Sequence, residues 1–229
     1  MIRRLLASIG IDEPVRNALQ RAGVLSPTEH GHALLMSEVE SLLPIPGAVA
    51  TMIEVGSTRE DLPGQGSTAV LADFCVRHGI LFTTVDMDPE NSTRAAHTVG
   101  TRDSSFVAIN AKGEDFLAEY SSPVHFAYLD AFDIDHGRHS ETRHRRYAEI
   151  LGTSITNEAC ASMHLSCAVA LARLLAPGGV IVLDDTWLAA GGAWEGKGTT
   201  AVPYLLDRGF SISATSSSAV ALRPPGGSE

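Results

Sequence analysis

Acidic side chains close several short apolar runs of the sequence, and carboxylates in such positions can do chemistry. Carboxyl groups at the ends of neighbouring parallel strands meet at one edge of a sheet, where open α/β sheets bind their ligands. There they can accept hydrogen bonds from ribose hydroxyls or ligate a hard cation. The residues in these positions are Glu54, Asp86, Asp88, Asp130, Asp133, Asp184 and Asp185. Their recurrence predicts one shared site that needs carboxylates.

The apolar runs themselves predict strands, because each is short and rich in β-branched residues. Helical segments separate the runs, and strict alternation of strand and helix implies right-handed crossovers and a parallel sheet. A further helix and a closing antiparallel hairpin would complete a mostly parallel, Rossmann-like seven-stranded sheet flanked by helices. The predicted strands cover 48–56, 80–88, 106–110, 125–133 and 179–185, with the hairpin at 210–224.

Domain boundaries follow from the same patterning. Residues 1–47 lack strand patterning and predict an N-terminal helical cap, which would need the main domain to pack on. The α/β domain is predicted over 48–224, followed by a disordered tail at 225–229. The N-terminus has too few apolar residues for a secretory leader, and no run approaches the length of a membrane span. We therefore expect a cytoplasmic protein.

The charge of the chain favours a small-molecule partner. The 229 residues include 17 basic and 27 acidic side chains, which gives a formal net charge of −10. Such a charge disfavours binding to nucleic acid or to an anionic membrane surface. The three cysteines show no paired metal spacing and are expected to be buried thiols.

The first predicted turn contains glycines but is not a phosphate clamp. The stretch MIEVGSTREDLPGQGSTAV spaces Gly56, Gly64 and Gly66 too widely for a dinucleotide fingerprint, and no Lys-Ser/Thr pair follows Gly66 as in a P-loop. A helix that begins near Ser67 would still offer free N–H groups to a ligand. The alternative, an ordinary Gly/Pro loop, stays open.

Two further segments could hold a nucleoside. Asp86 closes the second run, where a carboxylate can accept hydrogen bonds from both ribose hydroxyls. Asp88 has a competing interpretation as a helix cap, because Pro89 follows it. The segment KGEDFL (112–117) places Gly113, Glu114 and Asp115 after the third run, where adenine could rest, although capping explains them about as well.

These motifs together resemble class I S-adenosylmethionine-dependent methyltransferases. The resemblance covers roughly residues 48–190 and rests on EVG…GSTAxLA, VDxD, GEDFL, LDAFD and PGGxIVLDD in that order. It implies an enzyme of that fold, and a homodimer in which the N-terminal helices pack across the interface. The implied donor-binding residues are Glu54, Gly56, Ser57, Gly66, Ser67, Asp86, Asp88, Gly113, Glu114, Asp115 and Asp130. Because S-adenosylmethionine has no phosphate, a widely spaced glycine turn suits it.

Within that superfamily the chain resembles the metal-dependent O-methyltransferases, both catechol-type and macrocin-type sugar enzymes. The resemblance implies that Asp130, Asp184 and Asp185 bind a metal ion. Carboxylates at adjacent strand ends repel unless protonated or neutralised by a cation, and oxygen-only ligation favours Mg²⁺. The alternative is that the acidic pair simply turns into a solvated loop.

The residue that takes the proton from the acceptor is predicted in a polar segment. Catechol-type enzymes often have a lysine three residues after the first metal aspartate, and Asp133 stands there instead. We interpret residues 133–150 as a long polar loop at the acceptor pocket, with His136, His139 and His144 as competing bases. We favour His144 because arginines flank it, and a solvated basic loop is the alternative.

The acceptor is predicted to be a sugar hydroxyl of a glycoside or oligosaccharide. The acidic pair, the arginine-rich segment and the missing lysine favour it over the alternative, a catechol or other phenol. A fainter resemblance to methylmannose-polysaccharide 1-O-methyltransferases implies the 1-hydroxyl of a 3-O-methylmannoside. Trp187 and Trp194 are predicted either to form a lid over the site or to pack on the domain, whereas His164 is expected to be packed. A non-catalytic protein that keeps only the fold is a further alternative.

Overall fold

The computed structural model describes residues 30–45, 47, 49–59, 66–137, 139–152 and 154–226. Most of the predicted N-terminal cap and the last residues of the predicted tail lie outside these ranges. Within the described ranges, no helix has both the length and the apolar character needed to span a bilayer.

The main sheet has seven strands in the order β3-β2-β1-β4-β5-β9-β8. The strands β1 to β5 pair in parallel, and β9 runs antiparallel to both β5 and β8. This confirms the predicted fold class and the closing hairpin. The strands are β1 Thr51–Val55, β2 Leu81–Asp86, β3 Val107–Asn110, β4 Val124–Leu129, β5 Leu175–Leu183, β8 Ser211–Thr215 and β9 Val220–Arg223, and a separate hairpin is formed by β6 Thr186–Leu188 and β7 Trp194–Gly196.

Helices cover both faces of the sheet, because alternate side chains of each strand face opposite layers. The helices are α1 Gly31–Leu42, α2 Ser67–His78, α3 Pro89–Gly100, α4 Gly113–Glu119, α5 Glu141–Leu151, α6 Asn157–Leu174 and α7 Ala201–Leu206. Ile53 and Val55 pack in one core with α4 to α7, whereas Met52 packs in the other with α1, α2 and α3.

The predicted polar loop at 133–150 is partly wrong, because α5 occupies Glu141–Leu151. Ser140 precedes this helix and its side chain accepts a hydrogen bond from the Arg143 N–H, which is a typical N-cap. Asp88 caps α3 in the same way by accepting from the Glu90 N–H at 2.9 Å. The capping interpretation of Asp88 is therefore confirmed.

The packed residues predicted from the sequence are found in the core. His164 is fully buried on α6 and its Nδ1 lies 2.8 Å from the Cys160 carbonyl oxygen. All three cysteines are buried and unpaired. The two tryptophans differ, since Trp194 packs against the core while Trp187 is 37% exposed and donates to Glu195.

Candidate functional site

A cavity of about 350 Å³ lies beyond the carboxyl ends of β1, β2 and β4. In the sheet, β1 lies between β2 on one side and β4 on the other. The chain continues from β1 to β2 and β3 in one direction and then crosses back to β4, so the strand order reverses at β1. Ligands of open α/β sheets bind at such a switch point. Predicted donor residues that line the cavity are Gly56, Ser57, Asp86, Asp88, Gly113, Glu114 and Asp130.

Gly56 allows the β1 and β4 turns to approach each other. Its φ is +98°, and a Cβ placed on it would lie 2.5 Å from the Asp130 carbonyl oxygen. One backbone hydrogen bond joins the two turns directly, because the Asp130 N–H donates to the Val55 carbonyl at 2.9 Å. On its other side, the Gly56 N–H donates to the Val85 carbonyl of β2 at 2.8 Å. The floor of the cavity thus requires glycine at this position.

Glu54 is fully buried and does not line the cavity, so the direct donor contact predicted for it does not fit the structure. Hydroxyls of Ser67, Thr68 and Thr84 donate to its carboxylate at 2.7, 2.7 and 2.6 Å. Burial raises the pKa of Glu54 to about 7, although these hydrogen bonds act to lower it. Glu54 therefore ties the start of α2 to β1 and β2.

The other predicted turn residues behave in the same way. The hydroxyl of Ser67 donates its hydrogen bond to Glu54, and neither Ser67 nor Gly66 is among the residues that line the cavity. Alternation along β1 explains the position of Glu54 and of the Ser67 hydroxyl bound to it, because Glu54 faces the α2 layer whereas Val55, the next residue, lines the cavity.

Asp86 is held in place at the end of β2. Its carboxylate accepts from the Ser57 N–H at 3.0 Å and from the Asp88 N–H at 2.8 Å. Burial raises the pKa of Asp86, and these backbone hydrogen bonds oppose the rise. The carboxylate is thus preorganised on the cavity wall. On α4, Glu114 lines the cavity, whereas Asp115 is exposed and does not.

An ion-pair cluster anchors α5 over the cavity. Arg59 and Arg143 both contact Asp133 at 2.8 Å, and the Tyr147 hydroxyl donates to it at 3.0 Å. Burial alone would raise the pKa of Asp133, but the hydrogen bonds and charge of Arg59, together with Arg143, hold it well below the usual value. The place of the catechol-type lysine is therefore taken by a structural carboxylate.

Asp133→Asn is expected to lower the free energy of unfolding at pH 7 by about 2 kcal/mol. This value is smaller than that of a fully buried ion pair because both arginines are partly exposed to solvent. Because the pKa of Asp133 is lower in the folded protein than the usual value of 3.8, its ionised carboxylate stabilises the fold above pH 3.8. This stabilisation is lost progressively as the pH falls below 3.8. Urea unfolding at pH 7 and at pH 2 measures the difference between variant and wild type. An equal difference at both values would contradict this account.

A second contact joins α5 to α3 across the cavity. Arg146 Nη2 and Nε donate to the Asp88 carboxylate, the latter at 3.1 Å, and Nη1 lies 3.1 Å from Glu90 Oε1. Asp88 is therefore already paired, which leaves Asp86 as the better partner for ribose.

The predicted base His144 lies on the outer side of α5. Its side chain is exposed, and its ring packs edge-on against His139 with centroids 5.8 Å apart. His139 Nε2 lies 2.8 Å from the Ile134 carbonyl oxygen. Neither of these residues nor His136 is among those that line the cavity. The α5 residues that do line it are Thr142, Arg143, Arg146, Tyr147, Ile150 and Leu151.

Lys197, which the sequence did not single out, lies between two of the predicted metal ligands. Its Nζ is 2.5 Å from Asp130 Oδ1 and 3.1 Å from Asp185 Oδ2. The third predicted ligand, Asp184, accepts from the Tyr128 hydroxyl through Oδ2 and from the Asp185 N–H through Oδ1 at 2.9 Å.

These contacts do not fit a Mg²⁺ site. The Lys197 ammonium takes one carboxylate oxygen each of Asp130 and Asp185 and lies between them. A phenol and a backbone N–H take both oxygens of Asp184. Among the residues that the structure describes, no group of three or more His, Cys, Asp or Glu side chains is arranged to hold a metal ion. The predicted ligand set is brought together, but around Lys197.

Comparisons with known proteins support the fold. No family model matches the sequence, and no curated protein matches it. Among solved structures, TrmN from Thermus thermophilus is similar with a TM-score of 0.51 at 14% identity, over 84% of this chain and 48% of that chain. Precorrin-6y C5,15-methyltransferase from Geobacter metallireducens GS-15 is similar with a TM-score of 0.50 at 12% identity, over 84% and 87%. The chain thus has a Rossmann-like methyltransferase fold.

Proposed function

We propose that this protein transfers a methyl group from S-adenosylmethionine to a hydroxyl group. The observation that carries the proposal is the cavity at the switch point, which combines a glycine floor at Gly56 with a preorganised carboxylate at Asp86. The methyltransferase fold adds support. The widely spaced glycines of the turn argue against a dinucleotide, whose pyrophosphate needs a tight clamp.

The donor is proposed to lie along the ends of β1 and β2. The methionine part would contact the backbone at Gly56 and Ser57, the ribose hydroxyls would donate to Asp86, and adenine would lie near Met87 and Glu114. All five residues line the same cavity. This arrangement leaves the side under β4 and α5 for the acceptor.

The transfer is proposed to depend chiefly on positioning, because the sulfonium methyl group is already activated. Asp130 lines the cavity next to Ala131 and keeps 30% of its side chain exposed, so it can accept a hydrogen bond from the acceptor hydroxyl. Held in line with the methyl group, the hydroxyl oxygen attacks the methyl carbon with the rate advantage of an intramolecular reaction. As the O–C bond forms, the S–C bond breaks, S-adenosylhomocysteine leaves, and the hydroxyl proton passes to the Asp130 carboxylate. Mg²⁺ takes no part in the proposed transfer, because the described carboxylates do not fit it. His144 takes none either, because it is exposed and does not line the cavity.

The acceptor is proposed to be a sugar hydroxyl. Polar groups of Ser140, Thr142 and Arg143 line the outer part of the cavity and could hydrogen-bond several hydroxyls of one sugar. A 3-O-methylmannoside acceptor, the homodimer and the cytoplasmic location stay predictions from the sequence.

Donor binding is tested by calorimetry with S-adenosylmethionine. Asp86→Asn is expected to weaken binding about 10-fold to 100-fold, because hydrogen bonds to a charged group contribute about 1.5–3 kcal/mol. The matched control is Glu119→Gln at the exposed end of α4, which should bind as the wild type does. Absence of wild-type binding would refute the proposal, and equal binding by Asp86→Asn would refute the ribose assignment.

Acceptor class is tested by a mass-spectrometric product screen. The wild type is incubated with S-adenosylmethionine and separate pools of mannosides, other glycosides and catechols. A mass increase of one methyl group in a glycoside pool is expected. Methylation of catechols alone would instead establish the phenol alternative.

A further inference from the structure

The acidic centre, formed by Asp130 after β4 and by Asp184 and Asp185 after β5, includes the ammonium group of Lys197. Lys197 is only 2% exposed, yet it contacts both Asp130 and Asp185. Because it lies within ion-pair distance of both, its ammonium group compensates carboxylates that would otherwise repel each other.

The backbone fixes Lys197 in this position. The Lys197 N–H donates to the Asp185 carbonyl at 2.9 Å, and the Gly198 N–H donates to the Thr186 hydroxyl at 2.9 Å. Gly196 precedes it with φ +80°, and a Cβ there would lie 1.9 Å from the Asp185 carbonyl oxygen. The base of the β6–β7 hairpin thus brings Lys197 back beside Asp185.

The remaining carboxylate is engaged from the other side. Asp184 is buried, accepts from Tyr128, and packs so closely on α1 that a Cβ at Gly31 would lie 2.8 Å from its Cγ. It could not turn toward Asp130 and Asp185 without losing these contacts.

We infer that Lys197 occupies the position that a divalent cation would take between Asp130 and Asp185, so that the protein binds no metal ion there. Lys197 is a positioning residue: it is buried away from the acceptor and holds Asp130 toward the cavity. The role of Asp130 toward the acceptor rests on the proposed function, but the occupation of the cation position does not.

The first test measures Mn²⁺ binding to the wild-type protein by electron paramagnetic resonance, without donor or acceptor. No stoichiometric binding is expected, and a chelator should leave the thermal midpoint unchanged. One bound Mn²⁺ per chain that Asp185→Asn abolishes would overturn the inference. Because this readout uses no methyl donor, its failure is distinct from failure of the proposed function.

The second test removes the ammonium. Lys197→Met should lower the thermal midpoint, and added Mn²⁺ should raise it again while binding at least tenfold more tightly than to the wild type. Lys197→Arg keeps the charge and should show no Mn²⁺ effect, and Lys112→Met, at the exposed lysine before α4, should behave as the wild type. A folded Lys197→Met protein with no gain in Mn²⁺ binding would also overturn the inference. If that variant does not fold, the wild-type measurement decides alone.

Discussion

Replacing Gly56 with alanine is expected to weaken S-adenosylmethionine binding by about 100-fold or more, equivalent to about 2.8 kcal/mol. The added Cβ would lie 2.5 Å from the Asp130 carbonyl oxygen, so the β1 and β4 turns would have to separate. The positive φ of +98° adds strain of about 1–3 kcal/mol for a residue with a side chain. Separation would move Ser57 and Asp130 apart on opposite walls of the cavity.

The measurement is calorimetric titration together with urea unfolding. Gly100→Ala is the matched control, because Gly100 ends α3 and a Cβ there meets nothing within 4 Å. That control should bind the donor normally and unfold with similar or slightly higher stability. Wild-type affinity in Gly56→Ala would show that the close approach of the two turns does not shape the donor site.

Glu54→Gln is expected to change how stability depends on pH. The folded-state pKa of Glu54 is about 7, above its ordinary value of 4.5, because burial disfavours the charged carboxylate. Between these two pH values the folded protein keeps a proton on Glu54 that the unfolded chain releases. The contribution of Glu54 to the free energy of unfolding therefore falls as the pH rises, and it is constant above about pH 7. The shift corresponds to about 3 kcal/mol. Glutamine cannot titrate, so this part of the pH dependence should vanish.

Relative to the wild type, Glu54→Gln should therefore become more stable by about 3 kcal/mol between pH 4.5 and pH 8. Its amide can still accept from two of the three surrounding hydroxyls and donate to the third. Urea unfolding at several pH values measures the change, with the exposed Glu119→Gln as control. A constant difference from the wild type across this range would show that Glu54 is ionised throughout.

The sheet could be predicted from the sequence because its signals are local. The runs that end at Glu54 and Asp86 are short, β-branched and separated by helical segments, so a mostly parallel sheet and the edge where its strand ends meet followed from topology rules. The placement of Asp86 and Asp130 at the cavity follows from the same rules.

The failures at Glu54 and His144 concern which way a side chain faces. Glu54 lies within a strand, where alternation turns it into the α2 layer. The sequence interpretation places His144 in a loop, but on α5 the positions 143, 146, 147 and 150 share the face toward the cavity. Applying helical spacing to 141–151 would have found that face.

Lys197 could not be found from local patterns. Asp130 lies 67 residues before it, and Asp185 is brought back beside it only by the β6–β7 hairpin, so the three side chains meet only after the sheet and the hairpin have formed. The charge repulsion among strand-end carboxylates was recognised from the sequence, whereas the identity of the neutralising cation depends on tertiary structure.

The β6–β7 hairpin has an optical consequence. Both tryptophans of the chain lie in it, at Trp187 and Trp194, and the segments at its base carry Asp185 and Lys197. Intrinsic emission excited at the indole band therefore originates entirely from the element that closes the acidic centre. A spectral shift recorded during a titration would therefore report a change in the surroundings of that hairpin, without an attached dye.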